Sequence, residues 1–144
     1  MSTRTAEEIA GLEFDWIACD AEQRVALFST AGGGAAPAEF LLDTDAHDMA
    51  IEALLSMPGS TSARVAPRVA DGLRNTWKLA AERGLFAFDA DPYGGPYRLV
   101  AAPAEPCLLS SLPGAVRDVA ARIRFSRCSF ERDAVIRSVD REGR

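Results

Sequence analysis

Two features of the chain predict an α+β fold built on a mostly antiparallel sheet. Two pairs of apolar, alternating segments are each divided by a short polar turn, near residues 20–24 and 91–96. Segments with helical periodicity lie between these pairs instead of alternating with single strands. A doubly wound parallel sheet would need that alternation. The expected architecture is therefore two β-hairpins, further strands at the C-terminal side, and two main helices packed on one side. With 144 residues the chain fits one domain, 1–144, with 1–12 and 141–144 expected as loose termini.

Residues 1–12 mix polar and apolar groups and read as a frayed helix. Phe14, Trp16 and Ala18 then alternate with Asp15, Ile17 and Cys19, while Val25 and Leu27 alternate with Ala26 and Phe28. Both faces of this first hairpin are largely apolar, so part of it should be central and covered. Ala31 to Pro37 is a small-residue loop containing Gly32-Gly33-Gly34, read as flexible. Asp43 or Thr44 can cap a helix over 44–57, with Asp45 and Asp48 matched to its N-terminal dipole. Its expected apolar stripe is Met49, Ala50, Ala53, Leu54 and Met57, and Pro58-Gly59 stops it.

Gly59 to Pro67 reads as a Ser/Thr-rich link into a second helix over 67–83. Val69, Ala70, Leu73, Trp77, Ala80 and Ala81 form its apolar face, and Gly84 stands at its C-cap. Leu85–Asp89 and Tyr97–Ala102 are strands on either side of the turn Asp91-Pro92-Tyr93-Gly94-Gly95-Pro96. Pro113 opens a short helix over Ala115–Ala121. Arg122–Phe130 alternates as an amphipathic strand, and Ala134–Val139 follows as an edge strand.

The formal net charge of −5 argues against a general nucleic-acid binder, which needs clustered cations. That charge is unevenly spread. Residues 1–60 carry eleven acids against Arg4 and Arg24, a net of −9, whereas residues 61–144 carry a net of +4. Either folding mixes these charges over the surface, or they form an acidic face that attracts a basic partner and speeds its association. No apolar run reaches the ~18 residues of a membrane span. The first residues lack a hydrophobic signal core, so a cytoplasmic location is expected.

Few arrangements point to chemistry. Asp43-Thr44-Asp45-Ala46-His47-Asp48 offers three carboxylates and an imidazole, either as cation ligands or as a base with its orienting acid. The same residues also make a capped acidic helix start, and no H-x-x-x-H or H-E-x-x-H pattern accompanies them. Cys19, Cys107 and Cys128 show no C-x-x-C spacing and read as reduced thiols, with Cys19 and His47 the one conceivable nucleophile pair. The glycine run lacks phosphate-loop spacing. No metal, no cofactor and no enzymatic activity are expected. Arg122, Arg124 and Arg127 read as a solvated stripe, or as partners for the acidic N-terminal half.

Two stretches carry a family resemblance. One is Phe14-Asp15-Trp16-Ile17-Ala18-Cys19-Asp20 running to Phe28-Ser29-Thr30-Ala31-Gly32. The other runs from Asn75-Thr76-Trp77 through Arg83-Gly84-Leu85-Phe86-Ala87-Phe88-Asp89 to Gly94-Gly95-Pro96-Tyr97. They resemble small bacterial proteins found beside polymorphic and contact-dependent toxins, where an immunity protein is expected. The resemblance implies an inert cytoplasmic inhibitor, monomeric or homodimeric, that occludes the active site of a cognate toxin. Such proteins share no single fold, and no catalytic residues carry over.

An acidic surface suits a toxin with a basic cleft. The residues expected to meet it are Asp20 and Glu22 at the first hairpin tip and Asp43, Asp45 and Asp48 at the helix start. Tyr93 and Tyr97, which flank the glycine turn, read either as ordinary hairpin packing or, where exposed, as the contact anchors. The competing reading is a small-molecule or peptide-binding module, with the sheet face and the Gly32–Pro37 loop forming its mouth.

Overall fold

A computed structural model describes residues 2–67 and 76–137. Its α-helices and strands follow in the order α1 (Ala6–Ile9), β1 (Asp15–Asp20), β2 (Val25–Ser29), α2 (Ala38–Leu42), α3 (Thr44–Leu55), β3 (Ala63–Val65), α4 (Thr76–Ala81), β4 (Phe86–Asp91), β5 (Gly94–Pro103), α5 (Gly114–Ala120), β6 (Arg124–Phe125) and β7 (Val135–Ile136), with a short 3-10 helix at Leu109–Ser111 before α5. The strands form an α+β sheet in the order β3-β5-β4-β2-β1-β6, with β7 also on β5. No described helix is long and apolar enough to cross a membrane.

Both predicted hairpins form. β1 pairs antiparallel with β2 from Asp15↔Ser29 to Cys19↔Val25, and β4 pairs antiparallel with β5. The hairpins join through β2 and β4, which run parallel from Ala26↔Phe86 to Ser29↔Asp89. A parallel join requires a crossover, and α2, α3, β3 and α4 supply it. β1 and β2 sit near the middle of the sheet and are buried on both faces, as their unbroken apolar composition demands.

The faces are covered differently. Ile17, Val25, Leu27 and Leu85 pack under Ala50, Ile51 and Leu54 of α3, Ala80 of α4, and Val116, Val119 and Ala120 of α5. The longer helices α3 and α5, with α4, thus lie on one side. The opposite face is aromatic. Phe28 stacks on Trp16 (4.2 Å between centroids) and Phe88 (5.1 Å), and meets Phe125, Phe130 and Tyr97 within 6 Å. Chain segments rather than long helices complete this layer, through Ile9, Phe40, Ile123, Phe130 and Ile136.

Several expectations are corrected. Residues 2–12 are not loose: Thr5 and Glu8 form a reciprocal capping box, Ile9 is buried, and Arg4 N–H and Gly11 N–H donate to Leu41 O and Gly32 O. In α3 the buried stripe is Thr44, His47, Ala50, Ile51 and Leu54, so Met49 and Ala53 face outward. The Ser/Thr-rich link contains β3, which gains hydrogen-bond partners from the outer edge of β5. The strand expected over Arg122–Phe130 is only Arg124–Phe125, because the chain turns away to cap the first hairpin. Of the helix expected over 67–83, residues 68–75 lie outside the described residues, as do residues 138–144 of the last strand and tail.

Candidate partner-docking surface

The first hairpin tip is closed. Asp20 is 0% exposed, and its carboxylate accepts from three backbone N–H groups: Glu22 and Arg24 through Oδ1 (both 2.9 Å) and Phe130 through Oδ2 (2.8 Å). These bonds hold the tip and the loop after β6 together. Glu22 accepts from Ser129 Oγ (2.6 Å) and pairs with Arg132 (3.6 Å). The Ser129 hydroxyl and the Arg132 charge hold its carboxyl below the usual range. Asp20 is therefore a structural carboxylate and not a partner contact, and Glu22 is engaged within the chain.

Tyr97 is the second correction. It is buried, its hydroxyl donates to Ala35 O (2.7 Å) and accepts from Trp16 Nε1 (3.3 Å), and burial pushes its phenol upward. It anchors the core beneath the glycine loop. Tyr93, four residues earlier, is 99% exposed at the tip of the β4–β5 hairpin.

That second tip is open yet firmly held. Asp91 Oδ1 accepts from Tyr93 N–H (3.1 Å), an Asx turn that shapes the tip. The Gly32-Gly33-Gly34 loop lies directly against it. A Cβ on Gly33 would stand 2.3 Å from Pro92 O, and one on Gly34 would stand 2.8 Å from the Tyr97 hydroxyl. The run is a close backbone-packing site, not the flexible mouth of a ligand pocket. On its other side Gly11 N–H donates to Gly32 O (2.8 Å), which brings the exposed Leu12 and Glu13 alongside.

α3 adds the acidic part. Asp43 is its N-cap, accepting from Ala46 N–H (3.2 Å) and Ser2 N–H (3.3 Å), with Arg122 at 3.9 Å. Burial pushes the Asp43 carboxyl up, but the two N–H donors and Arg122 outweigh it and hold it low. Asp45, Asp48 and Glu52 are exposed along the outer side of the helix, beside Met49 at 70% exposure and near Leu42 at 60%. Asp45 accepts from Ser2 Oγ. Among the described residues no ion pair neutralises Asp45, Asp48, Glu52, Glu13 or Asp91.

Asp15 joins the helix to the loops. It is in register with Ser29 on β2, which is in register with Asp89 on β4. Ser29 Oγ donates to Asp15 Oδ1 (2.7 Å) and accepts from Trp77 Nε1 (2.9 Å). Burial raises the Asp15 carboxyl against the Ser29 hydrogen bond, and the charges of Glu13 and Asp48 raise it further. The acidic strip comprises two exposed groups: Asp45, Asp48 and Glu52 around Met49 on α3, and Glu13, Leu12, Asp91 and Tyr93 at the loop end.

Of the sequence candidates, Asp45, Asp48 and Tyr93 belong to this strip, Asp43 borders it as a cap, and Asp20, Glu22 and Tyr97 do not. Sequence reasoning missed Met49, Leu42, Leu12, Glu13 and Glu52. The spacing of Asp45, Asp48 and Glu52 at three and four residues was the available signal, masked by counting Met49 among core positions.

The residues weighed for chemistry are occupied structurally. His47 is buried with Nδ1 accepting from Ile17 N–H (3.1 Å), on the side of α3 away from Asp45 and Asp48. Burial pushes the Cys19, Cys107 and Cys128 thiols up, Cys107 to about 11. Among the described residues no three His, Cys, Asp or Glu side chains are grouped as metal ligands would be. No protein-family model, curated protein or solved structure matches the chain.

Proposed function

We propose that the chain is a cytoplasmic inhibitory protein of the immunity type, which seats its acidic strip in the basic cleft of a cognate bacterial toxin. The observation that carries this reading is the pairing of acids that have no ion-pair partner among the described residues with exposed apolar anchors. Asp45, Asp48 and Glu52 surround Met49, and Tyr93 projects from a tip held by glycine packing. Interface energy concentrates in aromatic and apolar anchors held in place before binding, while surrounding charge sets the approach rate and rejects wrong partners. Steering of this kind raises association from about 10⁵–10⁶ to about 10⁸–10⁹ M⁻¹s⁻¹ at low salt.

The test is association kinetics with the protein that the tagged chain captures from its host bacterium. Asp45→Asn, Asp48→Asn and Glu52→Gln together should slow association on the order of tenfold and flatten its salt dependence. An unchanged rate with unchanged salt dependence refutes a docking role for the strip. The captured protein should be toxic when expressed alone and tolerated when co-expressed with this chain.

The small-molecule reading has narrower support. A groove of about 220 Å³ lies on the outer edge of β5, lined by Arg64, Val65, Leu99, Val100 and Ala101. That volume is below the roughly 300–1,000 Å³ of ordinary ligand pockets. A thermal-shift screen with metabolites checks this alternative, since a bound ligand raises the melting temperature.

A further inference from the structure

One backbone donor on the sheet edge is satisfied by a side chain in place of a strand. Alternate N–H groups of β1 point away from β2, and that of Cys19 donates to Ile123 O (2.9 Å) beside β6. β6 pairs only with Cys19 and Asp20, so the next outward donor, Ile17 N–H, has no strand opposite it. Its acceptor is Nδ1 of His47, reaching in from α3 at 3.1 Å. His47 is wholly buried, its ring lies edge-on to Phe40 (5.1 Å), and its Nε2 has no hydrogen-bond partner among the described residues.

Accepting at Nδ1 fixes the neutral ring with its proton on Nε2. A cationic ring carries protons on both nitrogens and aims one N–H at another. The charged groups that bear on the ring are Arg122, which opposes a second cation, and Asp43, which favours one. From β1 the ring meets the Ile17 N–H, and from α2 it meets the Phe40 ring. Burial is the largest effect, and with Arg122 it outweighs Asp43 and lowers the imidazole from 6.5 to about 4.

We propose that His47 is a pH-sensitive latch, holding the first half of α3 on the open edge of the sheet while neutral and releasing it on protonation. The N-terminal segment is released with it, because Thr44 N–H and Ser2 N–H tie that segment to the start of α3 through Ser2 O and Asp43 Oδ1. The latch stands whether or not α3 docks a partner. Asp45 and Asp48 flank His47 in the chain, so acid also unseats the docking strip if that reading holds.

Between the two pKa values the unfolded chain binds more protons than the native one, so stability falls as pH drops through that window. On this group alone the unfolding equilibrium constant should rise by roughly a hundredfold from pH 7 to pH 4. Urea unfolding of the full chain across this range, for wild type and His47→Gln, reads that change. The Gln side-chain oxygen accepts from Ile17 N–H without titrating, so the hundredfold component should vanish and leave the carboxylate contribution. Equal pH dependence in both proteins overturns the latch.

An NMR titration of wild type decides the matter even if the variant fails to fold, because His47 is the sole histidine. The ring should remain the Nε2-protonated neutral form until the pH approaches about 4, and its titration should coincide with loss of the Ile17 amide and first-turn α3 signals. Titration at the ordinary value with those signals unmoved overturns it.

Discussion

The two hairpin tips begin with the same device and end in opposite roles. Asp20 and Asp91 each accept, through Oδ1, from the backbone N–H two residues ahead. At the first tip the second carboxylate oxygen is taken by Phe130 N–H, and Glu22 is taken by Ser129 and Arg132. At the second, Asp91 and Tyr93 stay exposed while glycine backbone packs behind them. An acidic turn is free for a partner only where no returning segment engages its side chains. The segment that returns to Asp20 comes from 110 residues away, so local composition could not separate the tips.

Six substitutions break or sharpen this contrast. The largest effect is expected from Asp20→Ala, which strands three backbone donors, one of them buried, and should cost about 3 kcal/mol in urea denaturation. Asp91→Ala at the exposed tip should leave the midpoint unmoved, and equal losses would erase the distinction. Next is Gly33→Ala, whose methyl must displace the Pro92 carbonyl. It should cost about 2 kcal/mol and alter the amide signals of the second tip while sparing those of the first.

Tyr97→Phe should cost about 1 kcal/mol, because Ala35 O and Trp16 Nε1 lose their shared hydroxyl. Tyr93→Ala should spare stability and weaken partner binding, the reverse of the Tyr97 result. The smallest effect belongs to Glu22→Gln. The depressed Glu22 carboxyl contributes stability that is present above its unfolded pKa of 4.5 and lost as pH falls through the lower folded value. The variant should therefore show a slightly shallower acid limb, measured by unfolding below about pH 5.

Elements set by local chemistry were legible in the sequence. Both hairpins, the Asp43 cap, the helix stop before Pro58-Gly59 and the helix after Pro113 follow from alternation, capping and proline geometry. What was hidden depends on distant partners. β3 has weak strand character of its own and is defined by the edge of β5. The parallel β2–β4 join depends on how the crossover packs. His47 interrupts the apolar stripe of α3 because its ring replaces a missing strand acceptor, and that displaced the predicted stripe onto Met49. The same error concealed the apolar centre of the candidate site.

The most direct measurement is a three-way capture from the host lysate with tagged wild type, the Asp45→Asn, Asp48→Asn, Glu52→Gln variant, and a first-tip control carrying Glu22→Gln and Glu131→Gln, Glu131 being the acid that pairs with Arg24 of that tip (3.8 Å). The docking account predicts one stoichiometric partner retained by wild type and by the control, and lost from the variant neutralised on α3. Retention of that partner by the α3 variant at the wild-type level, or no partner on any of the three, contradicts it.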